Sequence, residues 1–340
     1  MGRYFFLGIL IACGSNDNDK PIDTHDTSDT TDTSDTGDTG DTGDTYEDLP
    51  IECIGLENYR GYLAELDTPN ERTQLADFPL SVPNLIDLGG TIWLAAQMFE
   101  GYERHCDVIG FADLEELPSS DIHPLSPVRI QDLPELGQIP NRSDLIFPPA
   151  DPTLVYLPDS QETVLITTLR LADAPDEPCI GLSLAEDGLD PTAGFRFLEN
   201  SLWCEPGIAM MDAAGFYDET SSVLHIVFAD FAEPDVANYH ATILTDRPAD
   251  QWSPQNPKRL TFDDFHLLGN FSDGDSLCSG PTFFGTRNQN GDRDAVAACF
   301  EPEFADFETV VDFEIKEIGD PSVVFSAQLD QTLLVYSKQR

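Results

Sequence analysis

Apolar residues in this chain alternate with polar ones or form short blocks, and no long stretch has helical spacing. From about residue 50 onward, these blocks are separated by Pro, Gly and Asp. Strict alternation and short bounded blocks are typical of strands, whereas a surface helix repeats its apolar positions every three to four residues. The pattern therefore predicts an all-β domain over residues 49–340.

The blocks form a weak internal repeat of five units. Each unit starts with a Pro-headed apolar strand, and the five prolines are Pro83, Pro152, Pro206, Pro281 and Pro321. A second apolar strand follows each of them after a turn, at 91–99, 163–171, 223–228, 295–300 and 332–336. Third strands also correspond, since the segment 109–112 matches 180–183 in character.

Five copies of a three- or four-stranded unit predict a five-bladed β-propeller. A Pro is tolerated at the start of an innermost strand, where it interrupts no ladder. The last unit ends after two strands, so we expect residues 51–66 to supply its missing strands and close the ring. A pair of β-sandwiches is the alternative fold.

The N-terminus has its own pattern. A short apolar stretch ends in Leu10-Ile11-Ala12-Cys13, which resembles a bacterial lipobox. The stretch is too short to cross a bilayer, which takes ~20 residues. It therefore predicts a signal peptide over residues 1–13 and lipidation of Cys13. The resemblance implies export and a membrane partner through the lipid anchor, and Gly14 after the Cys favours the outer membrane or cell surface.

Residues 14–48 form an acidic linker. The dipeptide Asp-Thr recurs with a period of three from Asp23 to Asp44, and no apolar residue falls between Ile22 and Tyr46. Such a segment buries too little surface to offset the entropy of ordering, and its like charges repel. We expect a disordered stalk. Calcium binding by its carboxylates is the alternative.

The charge balance excludes one class of partner. The chain carries 63 acidic and 17 basic residues, for a formal net charge of −46. Nucleic-acid binding needs a basic surface that neutralises phosphates. We therefore expect no nucleic-acid partner.

Lipidation of Cys13 leaves six cysteines, an even number that suggests three disulfides in an exported protein. The shortest loops pair Cys179 with Cys204 and Cys278 with Cys299, which leaves Cys53 with Cys106. No cysteine or histidine spacing indicates zinc. The segment Asn288 to Asp294 partly matches a calcium loop, but its Asn-Gly is also a hairpin-turn signal. We predict no cofactor, with calcium as the alternative.

The unit motifs are similar to those of a known family. An Asp-Pro-headed inner strand, an apolar second strand and a third strand ending in a Ser-x-Asp-Gly-like pattern resemble the five-bladed glycoside hydrolases of the arabinanase and xylosidase group, family 43. The resemblance spans residues 80–340. In that family the general base comes from unit one, a carboxylate that tunes the acid's pKa from unit two, and the general acid from unit three.

Carried over by position, the resemblance implies a tuning role for Asp151 and the general acid for Glu205. Glu205 lies in Cys-Glu-Pro, where the family has Glu-Gly-Pro. The base position is Val82, which cannot take a proton. Asp151, Asp320 or Asp87 would have to replace it, since glycoside hydrolysis uses two carboxyl groups. Asp before Pro is also a common structural choice at turns and strand starts.

Two functions follow from these residues. The first is a non-catalytic propeller that binds a glycan or a protein at the cell surface. The alternative is a divergent glycoside hydrolase with Glu205 as general acid and Asp151 or Asp320 assisting. Trp203, two residues before Glu205, either stacks on a sugar ring or packs between blades.

Overall fold

The computed structural model describes residues 59–75, 80–98, 108–114, 126–127, 130–131, 150–171, 174–231, 237–260, 267–272, 277–289, 292–301, 306–316 and 318–339. These residues form five β-sheets, and the helices among them are three short 3-10 turns, at Pro191–Ala193, Glu199–Ser201 and Ala249–Gln251. The predicted lipidation site Cys13, the predicted stalk 14–48 and the predicted Cys53–Cys106 bridge lie outside the described residues.

Each sheet is one blade. The strands are numbered in chain order, and for each blade they are given from the innermost strand outward. Blade one contains β3 (Leu80–Leu88), β4 (Thr91–Met98), β5 (Val108–Asp113) and β6 (Ser126–Pro127). Blade two contains β8 (Ala150–Leu157), β9 (Glu162–Leu171), β10 (Ala174–Ala185), β11 (Phe195–Phe197) and β7 (Ile130–Gln131). Blade three contains β12 (Met210–Asp218), β13 (Val223–Asp230), β14 (Ala237–Leu244) and β15 (Gln255–Arg259).

Blade four contains β16 (Leu267–Phe271), β17 (Thr282–Gln289), β18 (Asp292–Glu301) and β19 (Asp306–Lys316). Blade five contains β20 (Ile318–Ser326), β21 (Gln331–Gln339), β1 (Tyr59–Glu65) and β2 (Arg72–Gln74). Each inner strand contacts the inner strand of the next blade, and β20 contacts β3. The ring is therefore closed, and the prediction of a five-bladed propeller is confirmed.

The apolar core lies between the blades. Five clusters of buried side chains each draw on two neighbouring sheets, such as Leu154 and Leu165 of blade two packed with Ile86 of blade one. Alternation along each strand gives every blade two apolar faces, and each face is buried against a neighbour. A β-sandwich would have placed these residues in two facing layers instead.

Both ends of the described chain build blade five. Strand β1 pairs antiparallel with β21, with Tyr62 opposite Tyr336. The guanidinium of Arg72 lies 4.4 Å from the centroid of the Tyr62 ring and donates a hydrogen bond of 3.1 Å to the Tyr336 hydroxyl. The predicted closure by residues 51–66 is thus confirmed over Tyr59–Glu65, while residues 51–58 lie outside the described residues.

Two of the five predicted strand starts are wrong. Pro206 does not begin an inner strand, because β12 starts at Met210. Pro281 precedes β17, the second strand of blade four, whose inner strand is β16. The segment 295–300 accordingly belongs to the third strand, β18, instead of the second. Pro83, Pro152 and Pro321 do occupy matching positions in β3, β8 and β20.

Candidate functional site

Four inner strands share one backbone irregularity near their first residues. In each, two residues face a single residue of the second strand, which makes a β-bulge. The first of the two residues has a left-handed backbone in every case: φ is 46° at Val82, 51° at Asp151, 50° at Asp212 and 47° at Asp320. We call these four residues the bulge ring and the propeller face on which they lie the upper face.

The bulge ring is mostly acidic and partly withdrawn from water. Asp151 is buried, whereas Val82, Asp212 and Asp320 are half-buried. Asp and Asn tolerate a left-handed backbone far better than other residues, but a β-branched Val at φ 46° is strained. The fold therefore imposes the same conformation on all four positions, and only three of them carry a residue suited to it.

Two residues further along each strand, the blades meet at the axis. We call this set the axial layer, and its members are Asn84, Thr153, Ala214, Asn270 and Ser322. Each of their side chains is at most 3 % exposed. Asn270 belongs to β16, which has regular pairing and no bulge, with Gly269 facing Gly285.

Hydrogen bonds join the axial layer across blades. The Asn84 carbonyl accepts from the backbone N–H of Leu154 at 2.9 Å, and its amide donates to the Ser322 hydroxyl at 3.3 Å. The Thr153 hydroxyl donates to the Asn270 carbonyl at 2.9 Å. Blades two and four are not neighbours in the ring, so this bond reaches across the axis. These hydrogen bonds thus connect four of the five blades, one, two, four and five, at the level of the axial layer.

Glu205 lies on a loop, away from the inner strands. The segment Glu205 to Ile208 is a β-turn in which the Ile208 N–H donates to the Glu205 carbonyl at 3.1 Å and Gly207 has φ 79°. Pro at the second position and Gly at the third are the residues that a type II turn requires. The half-buried Glu205 carboxylate accepts a hydrogen bond of 2.9 Å from the Trp203 indole. Glu205 therefore stands outside the bulge ring.

Trp203 packs between blades. Its side chain is 8 % exposed and meets the Phe228 ring edge-on, with centroids 5.0 Å apart. It belongs to the core cluster of blades two and three. Of the two alternatives that the sequence allowed, packing between blades is the one that the structure shows.

Asp87 is also placed away from the upper face. Its carboxylate accepts a hydrogen bond of 2.6 Å from the Gly90 N–H in the turn between β3 and β4. This turn lies at the far end of β3, so Asp87 cannot replace a base at Val82. Asp320 does lie in the bulge ring, as does Asp151.

Two predicted disulfides are present. Cys179 is bonded to Cys204, and Cys278 is bonded to Cys299. The first bridge ties the loop that carries Glu205 to β10. Covalent bridges of this kind are typical of extracellular or periplasmic proteins.

The described residues contain neither a candidate metal-binding group nor a helix that could span a membrane. Their His, Cys, Asp and Glu side chains include no group of three or more that could hold a metal ion. Gln289 pairs with Asp292 across the β17–β18 connection, and the two residues between them lie outside the described residues. None of the described helices is long and apolar enough to span a bilayer.

Three solved carbohydrate-active enzymes are similar to this chain in fold. A thermostable family-43 glycoside hydrolase aligns with a TM-score of 0.51 at 12 % identity, covering 76 % of this chain and 89 % of that one. The endo-arabinase of Bacteroides thetaiotaomicron aligns with a TM-score of 0.50 at 13 % identity, over 76 % of this chain and 88 % of that one. These likenesses show a shared five-bladed fold.

A third solved structure extends the comparison. The N-acetylgalactosamine deacetylase of F. plautii, in complex with blood group B trisaccharide, aligns with a TM-score of 0.50 at 12 % identity. The alignment covers 77 % of this chain and 80 % of that enzyme. No protein-family model and no curated protein matches the sequence.

Asp212 is the site residue that the sequence pattern did not predict. Register places Asp212-Ala213 of β12 opposite Phe228, just as Asp151-Pro152 of β8 lies opposite Thr167. The Pro of the repeat is replaced by Ala213 in this blade, so a repeat defined by Pro points to Pro206 instead. The Pro-Gly dipeptide at 206–207 is the signal that could have prevented the error, since it indicates a turn.

Proposed function

We propose that the protein is a glycan-binding propeller that does not hydrolyse its ligand. The site is the upper face, where Asp151, Asp212 and Asp320 lie near the starts of three inner strands. Carboxylates accept strong, charge-assisted hydrogen bonds from hydroxyl groups, and a glycan presents many hydroxyls. The axial layer below gives this site a rigid floor.

One observation carries the absence of hydrolysis. In the resembled family, the base comes from unit one and the acid from unit three. At the base position, unit one of this chain has Val82, which cannot take a proton. In unit three, the bulge residues are Asp212 and Ala213, and Glu205, the acid that the resemblance implies, lies in a turn before β12 instead of at the strand start. Asp151 keeps the carboxylate that the resemblance implies for unit two.

A second candidate is a divergent glycoside hydrolase that uses Glu205 as general acid. The observation in its favour is that Glu205 precedes the start of β12 and so lies on the same face as Asp151. Its carboxylate is half-buried and would be accessible to a ligand at the rim. In this case, Asp151 or Asp320 would supply the second carboxyl group.

Binding is tested by isothermal titration calorimetry with arabino-oligosaccharides and xylo-oligosaccharides. We expect heat of binding with at least one of them, and Asp320→Asn and Asp212→Asn should each weaken it about tenfold, the size of one lost charge-assisted hydrogen bond. The matched control is Asp330→Asn. Asp330 also has a left-handed backbone, with φ 53°, but lies exposed in the β20–β21 turn at the opposite face.

Two results would count against a binding site at the bulge ring. One is affinity that is unchanged in both ring variants. The other is a loss in Asp330→Asn as large as the loss in Asp320→Asn, which would indicate a general charge effect. If neither oligosaccharide binds, the proposed ligand class is wrong.

Display at the cell surface is a further part of the proposal. The start of β1, at Tyr59, lies at the upper face, because β1 runs parallel to β20. Changing Cys13 to Ala should move the protein from the membrane to the soluble fraction. Membrane association that survives this change would remove the lipid anchor from the proposal.

A further inference from the structure

Two buried histidines form a pair where blades three and four meet. Nδ1 of His225 on β13 lies 2.9 Å from Nε2 of His240 on β14. The side chains are only 8 % and 5 % exposed. A hydrogen bond between two imidazole nitrogens requires one N–H donor and one bare acceptor, so at least one ring must be neutral.

The pair is enclosed by aromatic rings. Phe216 of β12 stacks on His225 with centroids 4.5 Å apart, and the hydrogen-bonded rings of His225 and His240 are nearly parallel, with centroids 5.2 Å apart. Phe300 of blade four meets His240 edge-on at 5.1 Å. Together these four rings extend from the inner strand of blade three to blade four, across the interface between the two blades.

Burial, more than the neighbouring charges, disfavours protonation of the pair. Burial lowers the pKa of His225 to about 4, opposed only weakly by the Asp218 carboxylate on β12. Burial also lowers the pKa of His240 to about 4, and His225 and the Lys258 ammonium on β15 act in the same direction. Blade four presents the phenyl ring of Phe300 to the pair.

We propose that this histidine pair makes the contact between blades three and four acid-sensitive, because the hydrogen bond between the two rings requires at least one of them to be neutral. Two protonated imidazoles have no acceptor nitrogen, so the hydrogen bond between them is lost. Two like charges would then stand 2.9 Å apart among phenyl rings. The strand β12, which carries Asp212 four residues before Phe216, is the part of the site nearest to this pair.

The direction of the pH effect follows from the shifted values. Both groups bind protons more weakly in the folded protein than in the unfolded chain, where histidine titrates near ~6.5. Their contribution to stability is complete above about pH 6.5 and is lost as the pH falls towards 4. The net negative charge acts oppositely, because protonating carboxylates relieves repulsion.

Urea unfolding of the full chain between pH 7.5 and 5, at constant salt, tests the proposal. We expect the folding equilibrium constant to fall on the order of tenfold for each histidine over this range. The variant His225→Asn with His240→Gln places amides where Nδ1 and Nε2 stand, so a hydrogen bond can form without titration. This variant should lose most of that pH dependence, whereas His25→Gln should keep all of it.

An NMR titration of the histidine ring protons in the wild type gives a second readout that does not depend on a folded variant. Signals of His225 and His240 should stay unchanged until the pH falls below about 5. Ordinary titration of either ring near pH 6.5 would overturn the proposal. An equal fall in stability for the wild type and the double variant would overturn it too.

Discussion

The bulge ring and the axial layer lie two residues apart on the same strands, yet their chemistry differs. In the axial layer, Asn84 accepts a hydrogen bond from the Leu154 N–H, and Thr153 donates one to Asn270. The polar groups of this layer therefore form hydrogen bonds between blades. In the bulge ring, one backbone conformation recurs with either Val82 or an Asp. The difference separates the two roles: the axial layer joins the blades, while the ring determines what the upper face can bind.

The largest effect on stability should come from the axial layer. Asn84→Ala removes the acceptor of the Leu154 N–H and the donor to Ser322, and it leaves a cavity at the axis. We expect a loss of about 3 kcal/mol in the free energy of unfolding, measured by urea denaturation. Asp320→Asn in the bulge ring, measured in parallel, should change it by less than about 0.5 kcal/mol. Equal losses would erase the distinction between the two sets.

A smaller effect should follow from the bond across the axis. Thr153→Val keeps the shape of the side chain but removes the hydroxyl that donates to Asn270. The expected cost is about 1.5 kcal/mol, because the Asn270 carbonyl stays buried. A double-mutant cycle with Asn270→Ala should give a coupling energy of about 1 kcal/mol. Additive effects would mean that the two blades are not coupled through this bond.

The smallest effect, and one of opposite sign, concerns Val82. Val82→Asn keeps the position uncharged but replaces a β-branched residue by one that accepts a left-handed backbone. Thermal or urea unfolding should show a gain of about 0.5–1 kcal/mol. Val82→Ala is the control and should gain less. A destabilised Val82→Asn protein would show that packing of the Val side chain outweighs its backbone strain.

The sequence pattern was sufficient to predict the five blades, but it did not predict where every inner strand begins. Alternation and the repeat gave the five-bladed ring and its closure by β1, since apolar faces must be buried between neighbours. Pro served as the marker of inner strands, and it failed where Ala213 replaces it and where Pro206 begins a turn. The axial layer does have a local signal: Asn84, Thr153 and Ser322 are small polar residues directly after a Pro in apolar strands. Its hydrogen bonds join residues far apart in the chain, which no local pattern contains.

The positions of the carboxylates were only partly predictable for the same reason. Asp151 and Asp320 are adjacent to Pro and were found, while Asp212 could be placed only by the register of β12 against β13. Glu205 matched a short motif, and in the structure it lies in the turn Glu205 to Ile208, where the Trp203 indole donates to its carboxylate. A one-residue shift in register changes which side chain stands at a given point of the axis.

The most direct test of the central claim is a turnover assay of the purified protein on aryl-arabinofuranosides and aryl-xylosides, with Glu205→Gln measured beside it. If the protein is the non-catalytic propeller that we propose, it should release no aryl group above the uncatalysed rate, and the variant should behave identically. Robust release by the wild type that is abolished in Glu205→Gln would contradict the non-catalytic function and establish the hydrolase in its place.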